Sequence, residues 1–128
     1  MNRSGKMKKI SILILDDEQR ICEELSEYLL RKKYAVFSAE KPSAAFDVLK
    51  KTSIDILFLD FTLPEMNGII FLKEVKKMYP KLNVIMISGA ENWQIRKEAR
   101  QNGAIDFISK PFLHKDVTNA LQWINNEI

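Results

Sequence analysis

The chain has 128 residues, 46% of them hydrophobic and 29% charged, with a formal net charge of +3 and a single cysteine. That size holds one domain with its own core and no second one, no apolar run approaches the roughly 18 residues that suggest a membrane span, and one thiol makes no internal disulfide. The positive excess sits in Arg3, Lys6, Lys8 and Lys9, ahead of the first apolar run, so the folded part lacks the structured basic face of a nucleic-acid binder and no direct nucleic-acid contact is expected of it.

Residues 1–9 read as a flexible leader, with an alternative start at Met7, and residues 10–128 as the domain. No secretory signal pattern is present, so a reducing cytoplasm is the expected compartment. Five apolar runs follow: Ile10 to Leu15, Tyr34 to Ser38, Ile54 to Leu59, Asn83 to Ser88 and Ala104 to Ser109. Their near-continuous Ile, Val, Leu and Phe content predicts strands covered on both faces.

Helical spacing fills the gaps. Ile21, Leu25 and Leu29 form one stripe between Glu18 and Lys33. Pro42 opens the next helix, where its missing amide is harmless, and Ala45, Phe46 and Leu49 supply the inner face. A third segment after Gly68 carries Ile69, Leu72 and Val75 and stops at Pro80. The fourth, Asn92 to Asn102, turns Ile95 and Ala99 inward and ends at Gly103, a left-handed cap. The last runs from Leu113 to Glu127 with Val117, Ala120, Leu121 and Ile124. Such alternation predicts a parallel sheet with right-handed crossovers, an α/β three-layer sandwich.

Three of the strands end in charge: Asp16-Asp17 after the first, Asp60 after the third and Lys110-Pro111 after the fifth. If they are neighbours, three carboxylates and one ammonium meet at the carboxyl edge of the sheet, where open α/β sheets place ligands. Crowded carboxylates raise one another's pKa, so a nucleophilic anion at Asp60 needs compensating positive charge. A divalent cation with hard oxygen ligands and a phosphoryl group suit such a cluster.

The four pieces Leu15-Asp16-Asp17-Glu18, Leu59-Asp60 with Pro64 and Gly68, Ile87-Ser88-Gly89-Ala90, and Phe107-Ile108-Ser109-Lys110-Pro111-Phe112 each stand at the end of a predicted strand. In that order they resemble the receiver domain of two-component response regulators. The resemblance implies a flavodoxin-like, doubly wound five-stranded sheet of order 2-1-3-4-5. It implies Asp60 as phosphoacceptor, taking the group from a histidine kinase or histidine phosphotransfer protein. It further implies Asp17 and Asp60 as direct ligands of Mg²⁺ or another divalent cation such as Mn²⁺, with Asp16 acting mainly through water and the backbone carbonyl of Thr62 at a further position. Lys110 is the implied partner of the phosphate and carboxylate, with its bond to Pro111 in the cis form. Ser88 and Phe107 resemble the switching hydroxyl and aromatic, which act on the face formed by the fourth helix, fifth strand and fifth helix. That face would bind an output partner, form a dimer, or serve an effector domain beyond Ile128.

Other residues carry plainer expectations. Asp55 and Asp106 lie away from the carboxyl edge and read as structural or exposed; His114 reads as exposed, Cys22 as an unreactive core or half-buried residue, and Trp123 as partly buried. Thr62 and Ala90 stand where the family tunes phosphate lifetime, and neither offers a carboxylate or amide to orient water, so a long-lived acyl phosphate is expected. Phe107 replaces the tyrosine of many chemotaxis receivers. The expected role is therefore a regulatory phosphoacceptor rather than an enzyme acting on other substrates. The alternative is a haloacid-dehalogenase-like phosphohydrolase, suggested by Asp60-Phe61-Thr62 but lacking the second carboxylate of that loop. A flavodoxin-like cofactor binder would need a phosphate loop after the first strand, where Asp16 and Asp17 stand instead.

Overall fold

A computed structural model describes residues 9–89 and 93–127. Its elements in chain order are β1 (Ser11–Leu15), α1 (Gln19–Arg31), β2 (Ala35–Ala39), α2 (Pro42–Lys51), β3 (Ile56–Asp60), α3 (Gly68–Met78), β4 (Asn83–Ser88), α4 (Trp93–Gln101), β5 (Ala104–Ser109) and α5 (His114–Glu127). The strands pair in parallel in the order β2-β1-β3-β4-β5, as the alternation and the family resemblance imply.

Strand pleating sends successive side chains to opposite faces. On one face Ile12, Ile14, Ile56, Phe58, Ile85 and Ile87 pack with Cys22, Leu25 and Leu29 of α1 and with Val117, Ala120 and Leu121 of α5. On the other, Leu13, Leu15, Leu57, Leu59, Val84 and Met86 meet Ala45 and Leu49 of α2, Phe71, Leu72 and Val75 of α3, and Ala99 of α4. Both faces are therefore buried, which explains the unbroken apolar runs. Replacing a fully buried Leu or Phe here by Ala costs about 2–5 kcal/mol by lost transfer energy and the cavity left behind.

Local signals hold with small shifts. Pro42 stands in the first turn of α2, and Gly103 has a φ of 106° just after α4. β3 begins at Ile56 rather than Ile54, because the preceding Asp55 closes the opposite edge of the sheet: its Oδ2 accepts a hydrogen bond from Ser11 N at 2.9 Å. α3 starts at Gly68 itself, with Asn67 as its cap, Oδ1 accepting from Ile70 N at 3.0 Å. The expected start of α4 at Asn92, like Ala90, falls outside the described residues.

Trp123 corrects an expectation. It is 59% exposed, because the buried stripe of α5 runs through Val117, Ala120, Leu121 and Ile124 and residue 123 projects beside it, four positions on from Asn119. His114 is exposed as expected, yet its ring stacks on Tyr28 with centroids 4.1 Å apart. The Tyr28 hydroxyl is hydrogen-bonded to that of Thr118, which joins α1 to α5.

Candidate functional site

Strand register assembles the site. Leu15 pairs with Leu59, so the next residues along, Asp16 and Asp60, emerge side by side. Asp60 pairs with Ile87 and Ser88 with Ser109, so Ser88 and Lys110 each follow one step beyond. Backbone bonds carry the alignment past the strand ends: Phe61 N donates to Ile87 O at 2.9 Å and Lys110 N to Ser88 O at 2.8 Å.

The loop after β3 is folded tightly back on itself. Gly68 N donates to Phe61 O at 2.7 Å, and a Cβ at Gly68 would lie 2.6 Å from Asp60 O and 2.8 Å from Phe61 Cα. Only glycine admits this approach without displacing the backbone that carries Asp60.

Asp16, Asp17 and Asp60 each offer an oxygen within 4.8 Å of the others. Asp16 and Asp60 are buried, at 1% and 3% exposure, while Asp17 faces solvent. Asp16 Oδ1 accepts from Glu18 N at 2.9 Å, and Thr62 N approaches Asp60 Oδ1 at 3.4 Å. Lys110 enters from β5 and places Nζ 2.7 Å from Glu18 Oε1, 2.9 Å from Asp16 Oδ2 and 3.5 Å from Asp60 Oδ1. The Lys110-Pro111 bond is cis, as the resemblance implies.

The electrostatics follow from that crowding. Burial, then the charge of Asp16, pushes the Asp60 carboxyl up to about 7, against the pull of Lys110 and of the Thr62 amide. Burial alone would lower Lys110, but its hydrogen bond to Glu18, its close ionic contact with Asp16 and the charge of Asp60 outweigh it and raise the ammonium well above its usual range. The hydrogen bond from Lys110 holds Glu18 below the ordinary carboxylate range. Cys22 lies just behind, with Sγ donating to Asp16 O at 3.2 Å; burial, then the Asp16 charge, raises its thiol to about 11, so it stays protonated and inert.

Two observations fit a hard divalent cation. The Asp16, Asp17 and Asp60 carboxylates each offer an oxygen to one hollow, and among the described residues the buried Asp16 Oδ2 has no aligned hydrogen-bond donor despite its ionic contact with Lys110. Oxygen-only ligands, two of them on fixed strand ends, match the preference of Mg²⁺ for one or two carboxylates supplemented by water.

Ser88 is buried at 1% exposure and Phe107 at 8%. The Arg96 guanidinium lies 4.6 Å from the Phe107 ring centroid and Arg96 Nη2 donates to Ser109 Oγ at 2.8 Å. A cleft of about 390 Å³ opens beside them, lined by Asp106, Asp116 and Asn119 among others. The sequence thus brings together Asp16, Asp17, Asp60 and Lys110 as expected; it gave no role to Glu18 or Arg96. Glu18 was visible only as the fourth residue of an acidic motif, and Arg96 only as one charge on a polar helix, since neither side chain's direction is encoded by periodicity.

Comparison with known proteins agrees with this geometry. Residues 12–122 match the response regulator receiver domain family. The chain is 35% identical over 111 residues to the chemotaxis protein CheY of Bacillus subtilis, covering 86% of this chain and 92% of that protein. It is also 32% identical over 126 residues to a protein-glutamate methylesterase/protein-glutamine glutaminase of Nitrosomonas europaea, covering 95% of this chain but 34% of that protein. Several curated relatives are thus much longer than this chain, which spans about a third of their length. Among solved structures, the receiver domain of NtrX from Brucella abortus superposes with a TM-score of 0.82 at 31% identity, covering 87% of this chain and 94% of that one. A CheY-like receiver protein from Methanospirillum hungatei shares the fold, with a TM-score of 0.88 at 23% identity over 94% of this chain and 96% of that one. These matches give no support to the haloacid-dehalogenase alternative. No described helix is long and apolar enough to cross a membrane. The chain belongs to the response regulator receiver domain family.

Proposed function

We propose that Asp60 is the phosphoacceptor of a two-component switch, fed by a phosphohistidine on a kinase or phosphotransfer protein. The observation that carries this reading is the buried Asp60 carboxylate at a strand end, sharing one hollow with Asp16, Asp17 and the Lys110 ammonium. An Asp60 oxygen attacks phosphorus; the new O–P bond forms as the bond from phosphorus to the imidazole nitrogen breaks, and the electron pair stays with the nitrogen. The protein's part is to hold the oxygen in line and meet the spread charge with a cation.

Asp17 and Asp60 would hold Mg²⁺ directly, Asp16 mainly through water, and the Thr62 carbonyl would complete the protein's share. When bound, the ion supplies neutralisation of the phosphoryl oxygens. Lys110 meets the same charge from the β5 side, and the Ser88 hydroxyl donates to a phosphoryl oxygen.

The switch is a shift in population between two arrangements of Ser88 and Phe107. Phe107 is already largely inside, with Arg96 seated over its ring, so a change at Ser88 reaches the surface through Arg96 and the α4-β5-α5 cleft. That face is the output surface, for a separate partner, a second copy or an attached effector. Its chemistry on substrates other than itself is nil on this reading.

The test is exposure to acetyl phosphate with Mg²⁺, followed by intact mass. Wild type should gain one phosphoryl group and Asp60→Asn none; uptake that survives the substitution would show that another residue is the acceptor. Thermal melts give a second readout, since a ligand bound only to the folded state stabilises it. Mg²⁺ should raise the melting temperature of wild type and have little effect on Asp17→Asn.

A further inference from the structure

We propose that Glu18 is a positioning residue for phosphoryl transfer: its carboxylate keeps the Lys110 ammonium drawn away from Asp60 in the unmodified chain and releases it to the phosphoryl oxygens. The proposal rests on Asp60 being the acceptor.

An ammonium has three donors and no acceptor, and Lys110 faces three carboxylates. Its shortest contact, 2.7 Å, is to Glu18, and the next, 2.9 Å, to Asp16, whereas Asp60 stands at 3.5 Å. The best-formed bond is therefore spent on the residue outside the acid hollow, and the acceptor has the weakest hold. Asp16 is fixed by burial and by the bond from Glu18 N. Glu18 is different: its side chain is 54% exposed, so leaving Lys110 requires only a rotamer change into water. It lies on the solvent side of the hollow, directly ahead of α1, where it can part from Lys110 without disturbing the sheet.

The exchange is electrostatically coherent. As the Asp60 Oδ–P bond forms and the donor's bond to phosphorus breaks with its electron pair, negative charge appears beside Asp60. A phosphoryl group is a stronger magnet for an ammonium than an exposed carboxylate, because exposed ion pairs are worth little while charge-assisted bonds in a buried site are stronger. Lys110 then gives up Glu18. The pairing thus favours the unmodified state and slows capture of the phosphoryl group.

Initial rates of phosphorylation by acetyl phosphate at saturating Mg²⁺, read by intact mass, should rise several-fold in Glu18→Gln. Glu18→Asp, which keeps the charge, should fall between Glu18→Gln and wild type. In a Lys110→Ala background Glu18→Gln should change nothing, because the partner is gone. A structural readout without metal accompanies this: the melting-temperature shifts of Glu18→Gln and Lys110→Ala should be non-additive, as for contacting residues. Unchanged or slower uptake in Glu18→Gln, or the same acceleration without Lys110, would overturn the positioning role. Additive melting shifts would overturn the pairing itself. No mass gain on wild type would instead remove the acceptor assignment, and the positioning role with it, so the two failures are told apart.

Discussion

The Lys110 ammonium stands 3.5 Å from Asp60 Oδ1, near enough to feel its charge and too far for a well-formed hydrogen bond. The Lys110 ammonium is therefore shared among Glu18, Asp16 and Asp60. Much of the behaviour expected of this site follows from that division.

Lys110→Ala should destabilise the metal-free protein, because Asp16 and Asp60, both nearly fully buried, would face each other without compensation. Breaking a buried pair by removing one partner costs up to 3–5 kcal/mol. The half-exposed setting of Glu18 and the freedom of Asp60 to take up a proton reduce this to about 1–3 kcal/mol at pH 8. Urea melts with and without Mg²⁺ measure it. The deficit should shrink when Mg²⁺ is added, since a divalent cation restores the missing positive charge.

Asp60→Asn should stabilise the metal-free fold at high pH. The Asp60 carboxyl is raised from 3.8 to about 7, first by burial and then by Asp16, so the folded state binds this proton more tightly than the unfolded chain. That contribution is fully present below about pH 4 and is lost as pH rises through 7. At pH 8 wild type carries a buried anion that Asn lacks, and the variant should exceed it by on the order of 2 kcal/mol. Near pH 4 the gap should close. Denaturant midpoints at the two pH values decide it, and a pH-independent difference would mean that Asp60 titrates normally.

The strands and their terminal acids were legible because both depend on what lies next in the chain. Ile12, Leu57 and Val84 belong to unbroken apolar runs, and Asp16, Asp60 and Lys110 simply follow those runs, so parallel register alone brings them together. What could not be read depends on side-chain direction or on partners far along the chain. Glu18 reaches a lysine 92 positions away. Asp55 makes its strand start late, at Ile56, by accepting from Ser11, and Trp123 misses the buried stripe of α5 by one helical step. Asn67 takes the capping role ahead of Gly68 because the glycine is needed for close approach to Asp60 O.

That close approach makes Gly68→Ala a sharp probe. The added methyl would sit 2.6 Å from Asp60 O and 2.8 Å from Phe61 Cα, and both neighbours are backbone, which gives way only by shifting the strand end. Forced overpacking of this kind costs about 1–3 kcal/mol. Alanine's better helix propensity, worth at most about 1 kcal/mol at an interior site, does not offset it. The variant should melt lower than wild type and take up phosphoryl from acetyl phosphate more slowly, because the displaced segment carries the proposed acceptor, Asp60. Normal uptake with lowered stability would show that the shift is absorbed in α3 and never reaches Asp60.

Phosphate lifetime offers a test at an exposed position. Thr62 lies two residues past Asp60, is exposed, and on the proposed reading flanks the path of a water attacking the acyl phosphate, to which it offers only a hydroxyl and a methyl. Without a carboxylate or amide to orient that water, hydrolysis relies on solvent finding its own line of approach, and the modified protein should persist through purification in Mg²⁺ buffer. Thr62→Asn places an amide on the approach path and should shorten the lifetime several-fold, since a positioned polar group in hydrogen-bond reach of the attacking water speeds such steps. An exposed substitution of this kind should change stability by no more than about 0.5 kcal/mol, so decay rate and melting temperature separate the effect on water from any effect on the fold. Loss of the phosphoryl group from wild type as fast as from Thr62→Asn would mean that another residue orients the water.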